Sequence, residues 1–285
     1  DCFVSDSLTG AFKGKCIIDD DMGYHGLGVA QGGMVDTPDG DWYAFMFQDR
    51  GALGRAPVLM PMHFEDGFPI IGENGKVPEV VTVLDTGYQY AAINGSDDFF
   101  YKPDENGQIT LKNFWEFNHQ QMDDFWSVTE NPGHLRLHSA KLSPTLFQAY
   151  NTLTQRTVGP KCAAEVTLRF AHMKNGDVAG ISTFIGNYGF TGVKKENDQF
   201  YLIMMGRPAK DTTVFGQFEY ENPGLEYARV PIYGESICLR AEADFTDKRD
   251  LSSFYYKEGD NWQKLGIDQP MYFKMDLFTG CRFGL

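Results

Sequence analysis

The chain has 285 residues, room for one large or two medium domains. A net charge of −14 makes phosphate backbones and anionic membrane surfaces poor partners, so nucleic acid and membrane are set aside. No run of ~18 apolar residues is present to span a bilayer. Neutral sugars, cations and small polar molecules stay open. Hydrophobic residues make up 42% of the chain, and 31 glycines separate many short apolar runs, a pattern of β structure with frequent turns.

Cys2-Phe3-Val4 and Cys16-Ile17-Ile18 are short apolar runs joined by a turn-rich link, which predicts two adjacent strands. The start of the chain shows no basic region, no cleavage pattern and no initiator Met, so it reads as mature or truncated material whose address is not legible. The five cysteines are scattered and no CxxC occurs, which argues against a zinc ribbon or a thioredoxin motif. They read as small buried apolar residues; a Cys2–Cys16 disulfide is compatible with the spacing but not demanded by it. Asp19-Asp20-Asp21 points three carboxylates in different directions on an extended backbone, so a solvated loop is expected rather than a cation site. His25 falls in a glycine-rich loop, either mobile or lining a site.

Residues 29–55 organise the first unit. Asp36-Thr37-Pro38-Asp39-Gly40 reads as a hairpin turn, with Pro38 fixing φ and Gly40 free to take positive φ. The following strand, residues 42–47, is apolar on both faces and is expected to be buried on both. It runs into Gln48-Asp49-Arg50-Gly51 and then Gly54-Arg55, polar groups at the mouth of a strand. Asp49, Arg50 and Arg55 can be read as site residues or as a half-buried ion pair with a spectator. A further strand is expected at residues 57–62, a turn at 65–67, and turn chemistry at 72–78 ends the unit. Residues 79–96 form a connector, and a second unit covers residues 97–285.

In that second unit the pattern alternates. His134, Arg136 and His138 share one face, with Leu135 and Leu137 on the other. Arg136 between the histidines disfavours a metal site there. Ala164, Val166, Leu168 and Phe170 alternate with polar residues, as do Ile237, Leu239, Ala241, Ala243 and Phe245. Lys257-Glu258-Gly259-Asp260-Asn261 between aromatic runs is a hairpin signal. Strands with one wet face predict an antiparallel β-sandwich. No helical periodicity is sustained; residues 151–156 come nearest and are few.

The block QGGMVDTPDGDWYAFMFQDRGALGRAPVLMPMHFEDGFPIIGENGKVP closely resembles the last propeller blade of glycoside hydrolase family 43, of the β-xylosidase and α-L-arabinofuranosidase type. SDSLTGAFKGKCIIDDD resembles the strand and loop before that blade. LKNFWEFNHQQMDDFWSVTENPGHLRL, NTLTQRTVGPKC and MKNGDVAGISTF followed by YGFTGVKK resemble the family's concanavalin A-like sandwich. The resemblance implies an all-β chain: residues 1–78 as the C-terminal blade region of a five-bladed β-propeller, a connector at 79–96, and the sandwich at 97–285. It makes the sequence look like the C-terminal portion of a longer enzyme, with the missing N-terminal blades as partners of this one.

By the same resemblance the substrate is xylan or an arabino-oligosaccharide, and the action is exo-release of xylose or arabinose with inversion. The base, the acid and the tuning aspartate match no position here, so Asp36, Asp39, Asp41 and Asp49 are not assigned as catalytic. Two positions carry over. Gln31 stands where the family commonly has a histidine near the axis. An amide cannot act as an imidazole ligand, so no cofactor is required by this reading and a central calcium is doubtful. Arg55 resembles the family arginine that reaches the innermost sugar. Phe184, Tyr188 or Phe190 could stack on a sugar ring, although core positions suit them better. A non-catalytic carbohydrate-binding or structural sandwich is the alternative reading. A polymer substrate would favour secretion or a periplasmic location.

Overall fold

The computed structural model describes residues 1–83, 85–207, 222–271 and 279–285. Among them there is no α-helix, only strands and a few single 3-10 turns. The chain divides into two units: one of Asp1–Arg50 with Gly54–Gln89, the other of Gly51–Leu53 with Tyr90–Leu285.

The first unit contains a short hairpin of β1 (Cys2–Val4) and β2 (Lys13–Lys15). The second strand falls just before the apolar Cys16-Ile17-Ile18 run; Ile17 and Ile18 instead pack against the core of the sheet that follows. That sheet is a four-stranded antiparallel meander of β3 (Val29–Asp36), β4 (Trp42–Asp49), β5 (Arg55–Glu65) and β6 (Phe68–Ile71). The turn between β3 and β4 falls where the Pro-Asp-Gly chemistry placed it, with Gly40 at φ 89°. Ala44, Met60, Met62 and Ile71 face one side and form the core with Val29. The other face differs from the expectation of burial on both sides. Val35 is 52% and Phe45 54% exposed, because an apolar run reports the residue types of a strand and not what covers each face.

The second unit is an antiparallel sandwich. One sheet has seven strands in the order β15 (Leu225–Ile232), β14 (Gln199–Arg207), β13 (Tyr188–Glu196), β12 (Val178–Phe184), β20 (Arg282–Gly284), β10 (Leu153–Arg156) and β7 (Glu116–Phe117). Facing it are β11 (Lys161–Arg169), β16 (Ser236–Asp244), β17 (Leu251–Glu258) and β18 (Asn261–Lys264), with β19 (Gln269–Pro270) on β17. A separate ribbon pairs β8 (Trp126–Ser127) with β9 (Arg136–Leu137). Residues 151–156, the nearest approach to a helical pattern, hold a strand instead.

The alternation read in β11 and β16 is the sandwich's inner face. Ala164 pairs with Ala241 and Val166 with Leu239, and together with Phe254 they meet Ile181, Leu202, Met204 and Phe283 of the seven-stranded sheet. The polar partners stay outside, where Arg240 bridges Glu165 and Glu242. All five cysteines are free, so Cys2 and Cys16 form no disulfide.

Candidate functional site

The end of the four-stranded sheet where β4 stops and β5 starts carries Asp49, Arg50 and Arg55. Asp49 and Arg55 are directly opposite in the β4–β5 register. Arg55 Nε donates to Asp49 Oδ1 at 3.1 Å, and the guanidinium lies 3.9 Å from the centre of the Phe47 ring. Both side chains are about four-fifths covered, at 22% and 17% exposure. Ring and carboxylate together set one orientation for the guanidinium, a condition for reading a sugar's hydroxyl pair.

Gln31 reaches this end through a distortion of β3. The register runs Val29 with Gln48 and Ala30 with Phe47, then resumes at Gly32 with Met46, so Gln31 is the extra residue of a β-bulge. Its φ is 50°, in the left-handed region, and its side chain is exposed. Gly32 makes the bulge feasible, since a Cβ there would stand 2.1 Å from the Phe45 carbonyl oxygen. A non-glycine residue at positive φ on a bulge is a costly way to aim one side chain, and such positions concentrate at binding sites.

Gln48 is the residue that sequence patterns do not single out, although its parity with Ala44 and Met46 marks it as inward-facing. It is fully buried. Its Nε2 donates to the carbonyls of Asp21 at 2.7 Å and Leu27 at 2.6 Å, tying the loop between β2 and β3 to the sheet. Within that loop Asp21 accepts from the N–H groups of Gly26 and Gly23, and Asp20 accepts from Val77 N–H and Met22 N–H. The N–H of Val77 holds the Asp20 carboxyl below the usual carboxylate range, and that of Gly26 does the same for Asp21. The acidic triplet is thus a loop whose carboxylates brace its own backbone. Tyr24 and His25 are set edge to face on this loop, with ring centres 5.0 Å apart. The Arg50 guanidinium lies 4.3 Å from the centre of Tyr24 and has no ion-pair partner among the described residues.

Gln31 offers one neutral amide oxygen, the carboxylates of Asp20, Asp21 and Asp49 are engaged as above, and no cluster of three or more His, Cys, Asp or Glu side chains is gathered among the described residues. In the second unit, His138 and Arg136 both contact Glu130, and His134 meets Arg169. Phe184 and Tyr188 are buried in the sandwich, where Phe147 packs on both; Phe190 is half-buried beside Tyr188.

Residues 104–285 match the family model described as the β-xylosidase C-terminal concanavalin A-like domain. The chain belongs to glycoside hydrolase family 43. Its second unit holds the family's concanavalin A-like sandwich, and its all-β first unit fits the family's propeller. The family 43 chain is similar to a β-xylosidase of Formosa agariphila, 28% identical over 237 residues, covering 70% of this chain and 39% of that protein. It is also similar to a non-reducing end α-L-arabinofuranosidase of Bacteroides ovatus, 26% identical over 161 residues, covering 54% of this chain and 29% of that protein. A solved bifunctional GH43-CE protein of Bacteroides eggerthii superimposes with a TM-score of 0.80 at 36% identity, over 99% of this chain and 34% of that one. The chain therefore spans well under half the length of these relatives.

Proposed function

We propose that the protein carrying this chain is a glycoside hydrolase that releases xylose or arabinose from the non-reducing ends of xylan or arabinoxylan. The observation that carries the reading is the family 43 match over residues 104–285, joined to a blade whose end presents Arg55 in a single orientation. Relatives named as a β-xylosidase and an arabinofuranosidase support the pentose specificity.

In this reading the chemistry is inverting. One carboxylic acid protonates the leaving oxygen and a carboxylate ~6.5–9.5 Å away activates water. Both groups belong to parts of the protein outside this chain. The chain's own contribution is to bind and orient. Arg55 donates to hydroxyls of the reacting sugar, with Asp49 and Phe47 holding its plane. Gln31 offers an amide donor and acceptor from the bulge of β3. No cofactor is needed for these roles.

The test is release of 4-nitrophenol from β-xyloside and α-arabinofuranoside by the full-length protein. Inactivity on every pentoside tried would sink the reading. Arg55→Ala in that protein is expected to lower kcat/KM by ~10²-fold, the scale of a lost charged hydrogen-bond partner at the reacting sugar. Unchanged kinetics in a folded variant would remove Arg55 from the site.

A further inference from the structure

Arg50 follows the last residue of β4, and its guanidinium lies over the ring of Tyr24 in the loop between β2 and β3. Both residues belong to the first unit, and both are half-buried. The backbone at each of them is tied down. Arg50 N–H donates to Gly54 C=O at 2.8 Å, Tyr24 N–H to Asp21 C=O at 2.7 Å and Leu27 N–H to Tyr24 C=O at 3.0 Å. Met22 and His25, which flank Tyr24, take φ of 50° and 54°, left-handed values that non-glycine residues hold only where their surroundings impose them. The loop is a fixed platform under one cation.

What sets that cation apart is its lack of an anion. The other half-buried arginines among the described residues are each seated on a carboxylate: Arg55 on Asp49, Arg136 on Glu130, Arg240 on Glu165 and Glu242, Arg282 on Glu116. The carboxylates closest in sequence to Arg50 and Tyr24 are committed elsewhere. Asp49 is taken by Arg55, Asp21 by the N–H groups of Gly23 and Gly26, and Asp20 by those of Met22 and Val77. Stacking does not use up the guanidinium either, since its five N–H groups lie in its own plane and not toward the ring. None of them donates to a protein acceptor among the described residues, and none of the nitrogens is sealed from solvent. In a chain of net charge −14, a positioned and accessible positive charge is thus left unneutralised at the end of this sheet.

We propose that Arg50, stacked on Tyr24, binds a carboxylate carried by the substrate, so that the protein prefers pentose oligosaccharides bearing a uronic acid. The contrast with Arg55 gives the reason. The Arg55–Asp49 pair is neutral overall and suits sugar hydroxyls. Arg50 keeps its full charge, and a carboxylate accepts two parallel N–H donors from such a fork. The Tyr24 ring holds the plane of the fork, which a two-point contact requires. The same charge offsets the field of an acidic chain, which otherwise repels an anionic oligosaccharide. This rests on the reading that the protein acts on xylan or arabinoxylan, and adds an acidic substituent to that substrate.

The experiment uses the full-length protein and two probes: xylotetraose, and xylotetraose carrying a glucuronosyl group on the xylose next to its non-reducing end. Wild type is expected to favour the acidic probe by about tenfold in kcat/KM, the scale of a charged hydrogen-bond partner. Arg50→Ala should bring the ratio of the two kcat/KM values to about one or below. Arg50→Gln, which keeps an amide donor without the charge, should do the same. Arg50→Lys keeps the charge without the fork and should retain a preference of about threefold. The proposal is overturned if wild type shows no preference, or if Arg50→Ala and Arg50→Gln keep the wild-type ratio. It is likewise overturned if neither of these two variants folds, which would make Arg50 a stability residue. A wild-type protein inactive on neutral xylotetraose and on every 4-nitrophenyl pentoside speaks against the proposed activity. Calorimetric binding of the same two probes then decides on Arg50 without turnover: tighter binding of the acidic probe by wild type and not by Arg50→Ala supports the site, and equal binding refutes it.

Discussion

Asp97 lets the energetics of the second unit be examined at one side chain. Its carboxylate is 1% exposed and accepts from the Tyr101 hydroxyl, from Trp115 Nε1 at 2.8 Å and from Phe99 N–H at 2.9 Å, with Lys112 Nζ at 3.1 Å. Phe99 stacks on Trp115, so one carboxylate ties together the irregular chain from residue 97 to 115. In Asp97→Ala, Lys112 is 43% exposed and its ammonium returns to water. Tyr101 and Trp115 are half-buried and each lose a charged acceptor, at about 1.5 kcal/mol apiece for the lower end of such bonds. The expected loss is therefore about 3 kcal/mol, or roughly 6–12 °C in Tm for a domain of this size.

The pH dependence has a definite sign. Burial by itself raises the Asp97 pKa, but the bonds from Tyr101, Phe99 N–H, Trp115 and Lys112 outweigh it and leave the carboxyl below the usual aspartate range. A depressed native pKa means that the stabilisation is complete above the unfolded value and is lost as pH falls through the native one. The same contact, with burial the larger cause, pushes Tyr101 up to about 12. Urea denaturation of wild type and Asp97→Asn should therefore show a gap that is constant near neutrality and narrows from about pH 4 downward, as the wild-type carboxyl becomes neutral like the amide. A gap independent of pH between these limits, or below about 1 kcal/mol at pH 7, would refute the reasoning.

Gly51→Ala should destabilise the second unit by about 3 kcal/mol, combining the cost of positive φ with displacement of the Asp250 carboxylate that accepts from Ala52 N–H; scanning calorimetry reads this as a lowered Tm, and a neutral result would mean that the loop at 250 moves freely. Gln48→Leu removes two hydrogen bonds to the carbonyls of Asp21 and Leu27 and should cost about 1–2 kcal/mol. Faster amide exchange should be confined to residues 21–27, and unchanged exchange there would show that the loop does not depend on Gln48. Burial pushes the Cys281 thiol up to about 12, whereas Cys16 is exposed. Iodoacetamide applied to the native protein should alkylate Cys16 and spare Cys281, as peptide mass spectrometry would show.

Local chemistry made much of the fold legible. The Asp36-Thr37-Pro38-Asp39-Gly40 turn specifies its own geometry, and the period-2 pattern of β11 and β16 names the inner face of a sheet before its partner is known. The Asp49–Arg55 pair was visible as an alternative, but choosing it required the register that sets β4 against β5. Arg50 could not be told from Arg55 by type; what separates them is that one is beside a carboxylate and the other over Tyr24. Phe184 and Tyr188 show the same limit from the other side, since an aromatic strand reads alike whether it lines a groove or fills a core. Asp250 was beyond reach, being a loop aspartate that acts on Ala52, 198 residues away. Contacts of that range leave no local signature, and the two residues they join look ordinary apart.

The Gly51–Leu53 turn also bears on how such proteins can be recombined. A chimera cut at the connector near residue 90 would exchange the sandwich but leave behind three residues whose surroundings travel with it. The donor's loop at 250 would then face a foreign turn, with any side chain at position 51 colliding with the carboxylate. A graft of the second unit should therefore carry this triplet as well.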